Sequence, residues 1–188
     1  MIERIIKGSI KVKEELIKDT ELHKTIISVV DVISEAFQKG NRVIFCGNGG
    51  SAADAQHLAA ELSGRFYKDR KALPAEALHC NTSYLTAVAN DYDYDSIYSR
   101  LVDGTMKTGD ILIGISTSGN SKNIVKAFEV ANTKNITTIG LTGIDGGKLN
   151  KISDYIIKVP SNDTPRVQES HILLGHIICE LVELKLFK

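Results

Sequence analysis

From residue 42 onward, short apolar runs alternate with segments of helical period, and that alternation admits few folds. Strand-like runs occupy residues 42–46, 75–79, 110–115, 136–141 and 155–159. Helical segments lie between them at 51–64, at 82–89 with 96–102, at 121–133 and briefly near Leu149, and a last helix is expected over 164–186. Strands that are apolar throughout must be covered on both faces, which a parallel sheet between two helical layers achieves. The expected fold is therefore α/β: a doubly wound, mostly parallel five-stranded sheet flanked by helices.

The first forty residues are extra to a minimal doubly wound domain. Ile2, Ile5, Ile6, Ile10, Leu16 and Ile17 make a loose helical stripe, interrupted by Gly8 and Ser9. Ile26, Ile27, Val30, Ile33, Ala36 and Phe37 make a second, ended by Gly40-Asn41. Both stripes must be buried, on their own sheet or on another subunit, and the pattern favours an oligomer. Residues 67–71 and 143–147 read as surface loops. The balance of 23 basic and 23 acidic residues gives no global field favouring nucleic acid or an acidic membrane. No apolar stretch approaches a membrane span, and the charged N-terminus is unlike a signal peptide. Cys46, Cys80 and Cys179 are scattered and odd in number, which argues against a disulfide framework or cysteine zinc site. The expected compartment is the cytoplasm.

Two turns at the carboxyl ends of strands carry the chemistry. After the 110–115 strand come Ser116, Thr117, Ser118, Gly119, Asn120 and Ser121, five polar side chains in six positions with no Lys or Arg. Such a strand-to-helix turn can hold a phosphate through hydroxyls, backbone N–H groups and the helix dipole. An ordinary helix cap explains one such residue, not five. After the first strand comes Gly47-Asn48-Gly49-Gly50-Ser51-Ala52, where glycine allows close backbone approach and Ser51 can cap the next helix. Open α/β sheets bind ligands at this edge. The glycine turn loosely matches a dinucleotide fingerprint but lacks the partner acid, and no Gly-Lys-Ser or Gly-Lys-Thr of a P-loop is present.

On the following helix His57 and Glu61 are four residues apart and share a face, suited to a divalent metal or to a base with its partner. The last helix carries Gln168, Glu169, His171 and His176 in an apolar context. Gln168 and His176 are about 80° apart around that helix, and spacing alone does not choose between the two histidines. His23 and His79 have no partner in sequence and read as structural. Asn90-Asp91 can hydrogen-bond sugar hydroxyls or cap the segment from Tyr92.

Taken together, these residues are recognisable. Residues 46–52, His57 to Arg65, Asn90-Asp91, Ser116 to Ser121, 141–147 and the run Arg166, Gln168, Glu169, His171, His176 resemble the phosphoheptose isomerases of the sugar isomerase (SIS) superfamily. The likeness covers nearly the whole chain, implying one SIS domain over 1–188, with 1–40 as helices for oligomer contacts and 41–188 as the α/β core and last helix. It implies interconversion of D-sedoheptulose 7-phosphate and D-glycero-D-manno-heptose 7-phosphate through an enediol, at the start of bacterial heptose biosynthesis for lipopolysaccharide or capsule. A homotetramer with active sites between subunits follows from the same resemblance. It assigns Glu61 as base and His176 as acid. Ser116, Thr117, Ser118 and Ser121 would hold the phosphate, with Asn48, Gly49, Gly50, Ser51, Asn90, Asp91 and Gln168 as further substrate contacts. Zinc, one per subunit, would sit on His57, Glu61, Gln168 and His176. Pro165 departs from the pattern, since some relatives carry a small or acidic residue there. It suits a first helical turn but supplies no polar contact, leaving residues 162–164 as the adjacent candidates.

The rival reading is a non-catalytic SIS adaptor that binds the replication initiator and shares the glycine and serine turns. That adaptor lacks the counterparts of Glu61 and His176. An isomerase of another sugar phosphate is the third possibility.

Overall fold

The computed structural model describes residues 1–187. Two helices lead, α1 (Ile2–Lys18) and α2 (Thr20–Gln38), with the Asp19 carboxylate between them accepting from the Leu22 N–H at 2.9 Å to cap α2. There follow β1 (Val43–Gly47), α3 (Gly50–Ser63), β2 (Ala75–Ala77), α4 (Thr82–Asp91), a 3₁₀ turn (Tyr94–Ser96) and α5 (Ile97–Thr105). Then come β3 (Ile111–Ile115), α6 (Lys122–Thr133), β4 (Thr137–Thr142), α7 (Leu149–Ile152), β5 (Tyr155–Lys158) and α8 (Thr164–Leu186).

The five strands form one sheet in the order β2-β1-β3-β4-β5, and every pairing is parallel. Every residue of β1 and β3 is buried, as their unbroken apolar sequences require. Side chains alternate between two cores. Val43, Phe45, Ile111 and Ile113 pack with α1, α2, α3 and α8 on one face; Ile44, Cys46 and Leu112 pack with α4, α5, α6 and α7 on the other. Each fully buried aliphatic side chain contributes about 1.5–3 kcal/mol, so the central strands anchor the turns that follow them.

α1 runs as one helix through Gly8 and Ser9, as expected, and the Ser9 hydroxyl donates to Glu169 of α8 at 2.8 Å. Several expectations need correction. In the first stripe only Leu16 is buried, joined by Val12, while Ile2, Ile5, Ile6, Ile10 and Ile17 are exposed. β2 stops at Ala77, not residue 79, since the chain turns there with the Cys80 N–H reaching Ala77 O. Asn90 and Asp91 belong to the last turn of α4 and cap nothing. Arg70 is no solvated loop residue: its side chain is 2% exposed and paired with Glu183 of α8. The three cysteines are free thiols. Among the described residues no helix is long and apolar enough to cross a membrane.

Candidate active site

Strand order reverses between β1 and β3, and in parallel sheets the crevice beyond such a reversal is where ligands bind. Gly47 ends β1 directly opposite Ile115, the end of β3, so the glycine and serine turns start side by side. They are tied together. Asn48 and Asn123 exchange reciprocal amide hydrogen bonds at 2.9 and 2.8 Å, and the Tyr94 hydroxyl donates to Asn48 Oδ1 at 3.1 Å. From below, the buried Tyr98 hydroxyl donates to Gly47 O at 2.5 Å. Asn123 escaped sequence reasoning, although a polar residue on the buried stripe of Ile124, Ala127 and Phe128 was its signal.

Ser51 does not cap α3. The helix starts one residue earlier with Gly49 at the cap position and no side-chain cap, and Ser51 is buried within the first turn. Ser121 holds the cap position of α6, yet its hydroxyl faces the Ser116 hydroxyl at 3.0 Å and makes no cap bond. Both helices therefore present uncapped N-termini to the crevice, the arrangement that favours an anion.

The serine turn is stitched to the loop after β4. Gly143 N–H donates to Thr117 O at 2.9 Å, Leu149 N–H to Gly119 O at 3.1 Å, and Lys148 N–H to the Asn120 side chain at 3.0 Å. Gly119 has φ 65°, and a Cβ there would run into the Gly146 carbonyl. A pocket of about 240 Å³ beside the turn is lined by Thr117, Ser118, Asn120, Asp145, Asn162, Thr164 and Val167. Asn162 and Thr164 thus put polar groups on this pocket, while Pro165 lines a different one with Arg4, Ile5 and Gly8.

The titratable cluster depends on a close helix crossing. A Cβ on Gly175 of α8 would lie 2.5 Å from Leu58 Cδ1 of α3, so any larger residue would have to displace the Leu58 side chain at this crossing. The neighbouring residues then face one another. His57 Nε2 is 2.9 Å from His176 Nε2 and 3.2 Å from Glu61 Oε1, with the two rings edge to face at 5.1 Å. Ligand atoms of His57, Glu61 and His176 all lie within 4.8 Å of one another, a possible metal-binding group. Two imidazole nitrogens and a carboxylate oxygen converging this closely fit a divalent cation that takes N and O donors. The Gln168 amide of α8 lies close over Gly50 at the start of α3.

The choice between the two histidines of α8 is resolved by packing. His171 is buried, its Nε2 bonded to Thr142 O at 3.1 Å, whereas His176 joins the cluster. Glu169 serves structure through Arg166 at 2.7 Å and Ser9. His23 bonds Leu16 O at 2.9 Å, and His79 lies edge-on to Tyr98. Asn90 and Asp91 are exposed and hydrogen-bonded to each other at 2.9 Å.

Comparison with known proteins agrees with this architecture. Residues 9–143 match the SIS domain family. A phosphoheptose isomerase from Clostridium acetobutylicum is 54% identical over 186 residues, covering 99% of this chain and 95% of the relative. The solved phosphoheptose isomerase of Neisseria gonorrhoeae superposes with a TM-score of 0.91 at 39% identity, covering 97% of both chains. That of Francisella tularensis superposes at 0.92 with 33% identity, covering 97% of this chain and 96% of the other. With its sequence and its fold both matching these relatives, the chain belongs to the phosphoheptose isomerase family of SIS-domain enzymes.

Proposed function

We propose that this enzyme converts D-sedoheptulose 7-phosphate to D-glycero-D-manno-heptose 7-phosphate, the first step of bacterial heptose biosynthesis. The observation that carries the reading is the meeting of Glu61 from α3 and His176 from α8 within one chain. A ketose-to-aldose conversion needs a base, an acid and support for a developing oxyanion. Glu61 takes a proton from C1 while His176 gives one to the C2 oxygen, producing the enediol. His176 then recovers the proton of the C1 hydroxyl as Glu61 returns its proton to C2, leaving an aldehyde at C1. Ser116, Thr117, Ser118 and Ser121 hold the phosphate. Asn48, Gly49, Gly50, Ser51, Asn90, Asp91 and Gln168 contact the rest of the substrate.

His57, Glu61 and His176 suit zinc, one per subunit, with Gln168 as a fourth ligand. Bound zinc supplies positive charge beside the substrate oxygens. A carboxylate engaged by zinc is a weaker base, so the two roles of Glu61 compete. The active sites lie between subunits of a cytoplasmic homotetramer. The apolar groove lined by Leu16, Ile17, Ile26, Ile27, Leu173 and Ile177, together with the exposed isoleucines of α1, supports association through the N-terminal helices. The adaptor reading draws no support from the relatives, all three of which carry isomerase names.

Purified protein mixed with sedoheptulose 7-phosphate and followed by NMR should form the aldose, with zinc added or after chelation. Absence of turnover in both conditions, with tight binding to the replication initiator, would reject the enzyme reading. Gly119→Ala probes the phosphate turn. The left-handed backbone costs an alanine about 1–2 kcal/mol, and its methyl displaces the Gly146 carbonyl. The expected result is a rise in KM of roughly tenfold or more; an unchanged KM would remove the turn from the phosphate site.

A further inference from the structure

Two residues outside the reacting cluster hold both of its halves. The Glu183 carboxylate of α8 is 2% exposed and accepts four hydrogen bonds. Three come from the backbone N–H groups of Phe66, Tyr67 and Lys68 at 3.2, 2.8 and 2.8 Å, and the fourth from Arg70 Nε at 2.8 Å. Burial pushes this carboxyl up, but those four donors outweigh it and hold its pKa below the ordinary value. The Arg70 guanidinium spends its other N–H groups on carbonyls at the end of α3 and on that of Lys71. Nη1 donates to Leu62 O at 2.8 Å, Gly64 O at 3.1 Å and Lys71 O at 3.2 Å, and Nη2 donates to Glu61 O at 2.9 Å.

Each half of the pair therefore reaches one reacting residue. Arg70 grips the main chain of Glu61 itself. Glu183 fixes the backbone of Phe66, whose ring lies against the His176 ring at 5.6 Å. Glu183 also lies seven residues beyond His176, two helical turns along the same face of α8. One helix face thus presents the acid and anchors the loop that packs against it. A buried ion pair is weak evidence for stability, because desolvation offsets its attraction. Its bonding pattern here terminates on the site, which gives it a different use.

We propose that Arg70 and Glu183 are positioning residues for the isomerisation, setting the reach of Glu61 through its carbonyl and the ring orientation of His176 through Phe66. The inference rests on the assignment of Glu61 and His176 as base and acid. Misplacement of reacting groups by about 1 Å can cost on the order of 100-fold in rate. Glu183→Gln keeps the shape but turns one acceptor into an N–H group facing N–H donors, so the loop must shift.

The test compares wild type, Glu183→Gln, Phe66→Leu and Lys185→Ala. Lys185 is the control, since it ties α8 to Asp31 of α2 through a surface ion pair at 2.5 Å, away from the site. The expected result for Glu183→Gln is a fall in kcat of about 10- to 100-fold with KM near wild type. The ¹⁵N signals of the His176 ring should move as well. Phe66→Leu keeps the backbone bond to Glu183 and removes the ring, and should lower kcat several-fold with the same His176 shift. Lys185→Ala should change neither. A folded Glu183→Gln with wild-type kcat, or one whose kcat falls only in step with thermal stability while His176 stays unmoved, overturns the proposal. If Glu183→Gln does not fold, wild-type kcat in Phe66→Leu overturns it instead. Wild-type protein that fails to turn over the heptulose phosphate rejects the assigned reaction, and the His176 signals still report whether the pair positions the ring.

Discussion

Glu61→Gln should lower isomerisation by roughly 10²–10⁴-fold, the range that a positioned general base supplies, while the sugar phosphate still binds. The substitution preserves shape and one oxygen, so the contact with His57 at 3.2 Å keeps an acceptor. What it removes is the charge that takes a proton from carbon. Glu61 is only 22% exposed at the side chain, so water is poorly placed to substitute for it. Two measurements separate the steps: exchange of the C1 proton into deuterated solvent, and calorimetric binding of the substrate. Loss of exchange with retained binding is the expected pair of results, and full activity would reject Glu61 as the base. Metal content must be measured alongside, because Glu61 is also a proposed zinc ligand and a neutral amide binds zinc less well than a carboxylate.

Acid should destabilise the fold through His171. Burial lowers its pKa from 6.5 to about 4, only partly opposed by its bond to Thr142 O. Because that carbonyl can only accept, Nε2 carries the proton. Nδ1 is buried without a partner among the described residues, so a second proton there would have nowhere to donate. The unfolded chain therefore binds more protons than the folded one between these values. Stability is complete above about pH 6.5 and is lost as pH falls toward 4. The loss amounts to about 2 kcal/mol by pH 5 and about 3 kcal/mol by pH 4. At this chain length the pH 5 value corresponds to a fall in Tm of roughly 4–8 °C. His79, also lowered by burial, acts in the same direction. His171→Gln should flatten the difference in Tm between pH 7 and pH 5. An equal fall in wild type and variant would show that other groups carry it.

What could be read from the sequence was mostly local. The alternation of apolar runs and helical segments located all five strands and their order of appearance, and Thr164 to Leu186 was correct at both ends of α8. Pro165 in its first turn is why that start was legible. The two ligand turns were legible because their residue types are costly to explain otherwise. What failed was pairing over distance. Spacing on α8 treats His171 and His176 alike; only the neighbours on β4 and α3 tell them apart. Arg70 looked like part of a charged loop because its partner, Glu183, is far away in sequence. The isoleucines of α1 form a stripe, but periodicity does not say which surface covers it, and within one chain they stay exposed.

The absent side chain at Gly175 has one more consequence. Leu58 occupies the space a side chain at position 175 would take, so the two helices pack close together. The spacing of the two backbones that carry His57 and His176 is thereby set by hydrocarbon packing. Imidazole nitrogens from both helices suit a cation that takes nitrogen donors, such as zinc, whereas calcium takes six to eight oxygen ligands. The placement of both histidines is then written in the packing of a glycine against a leucine, one residue away from each of them.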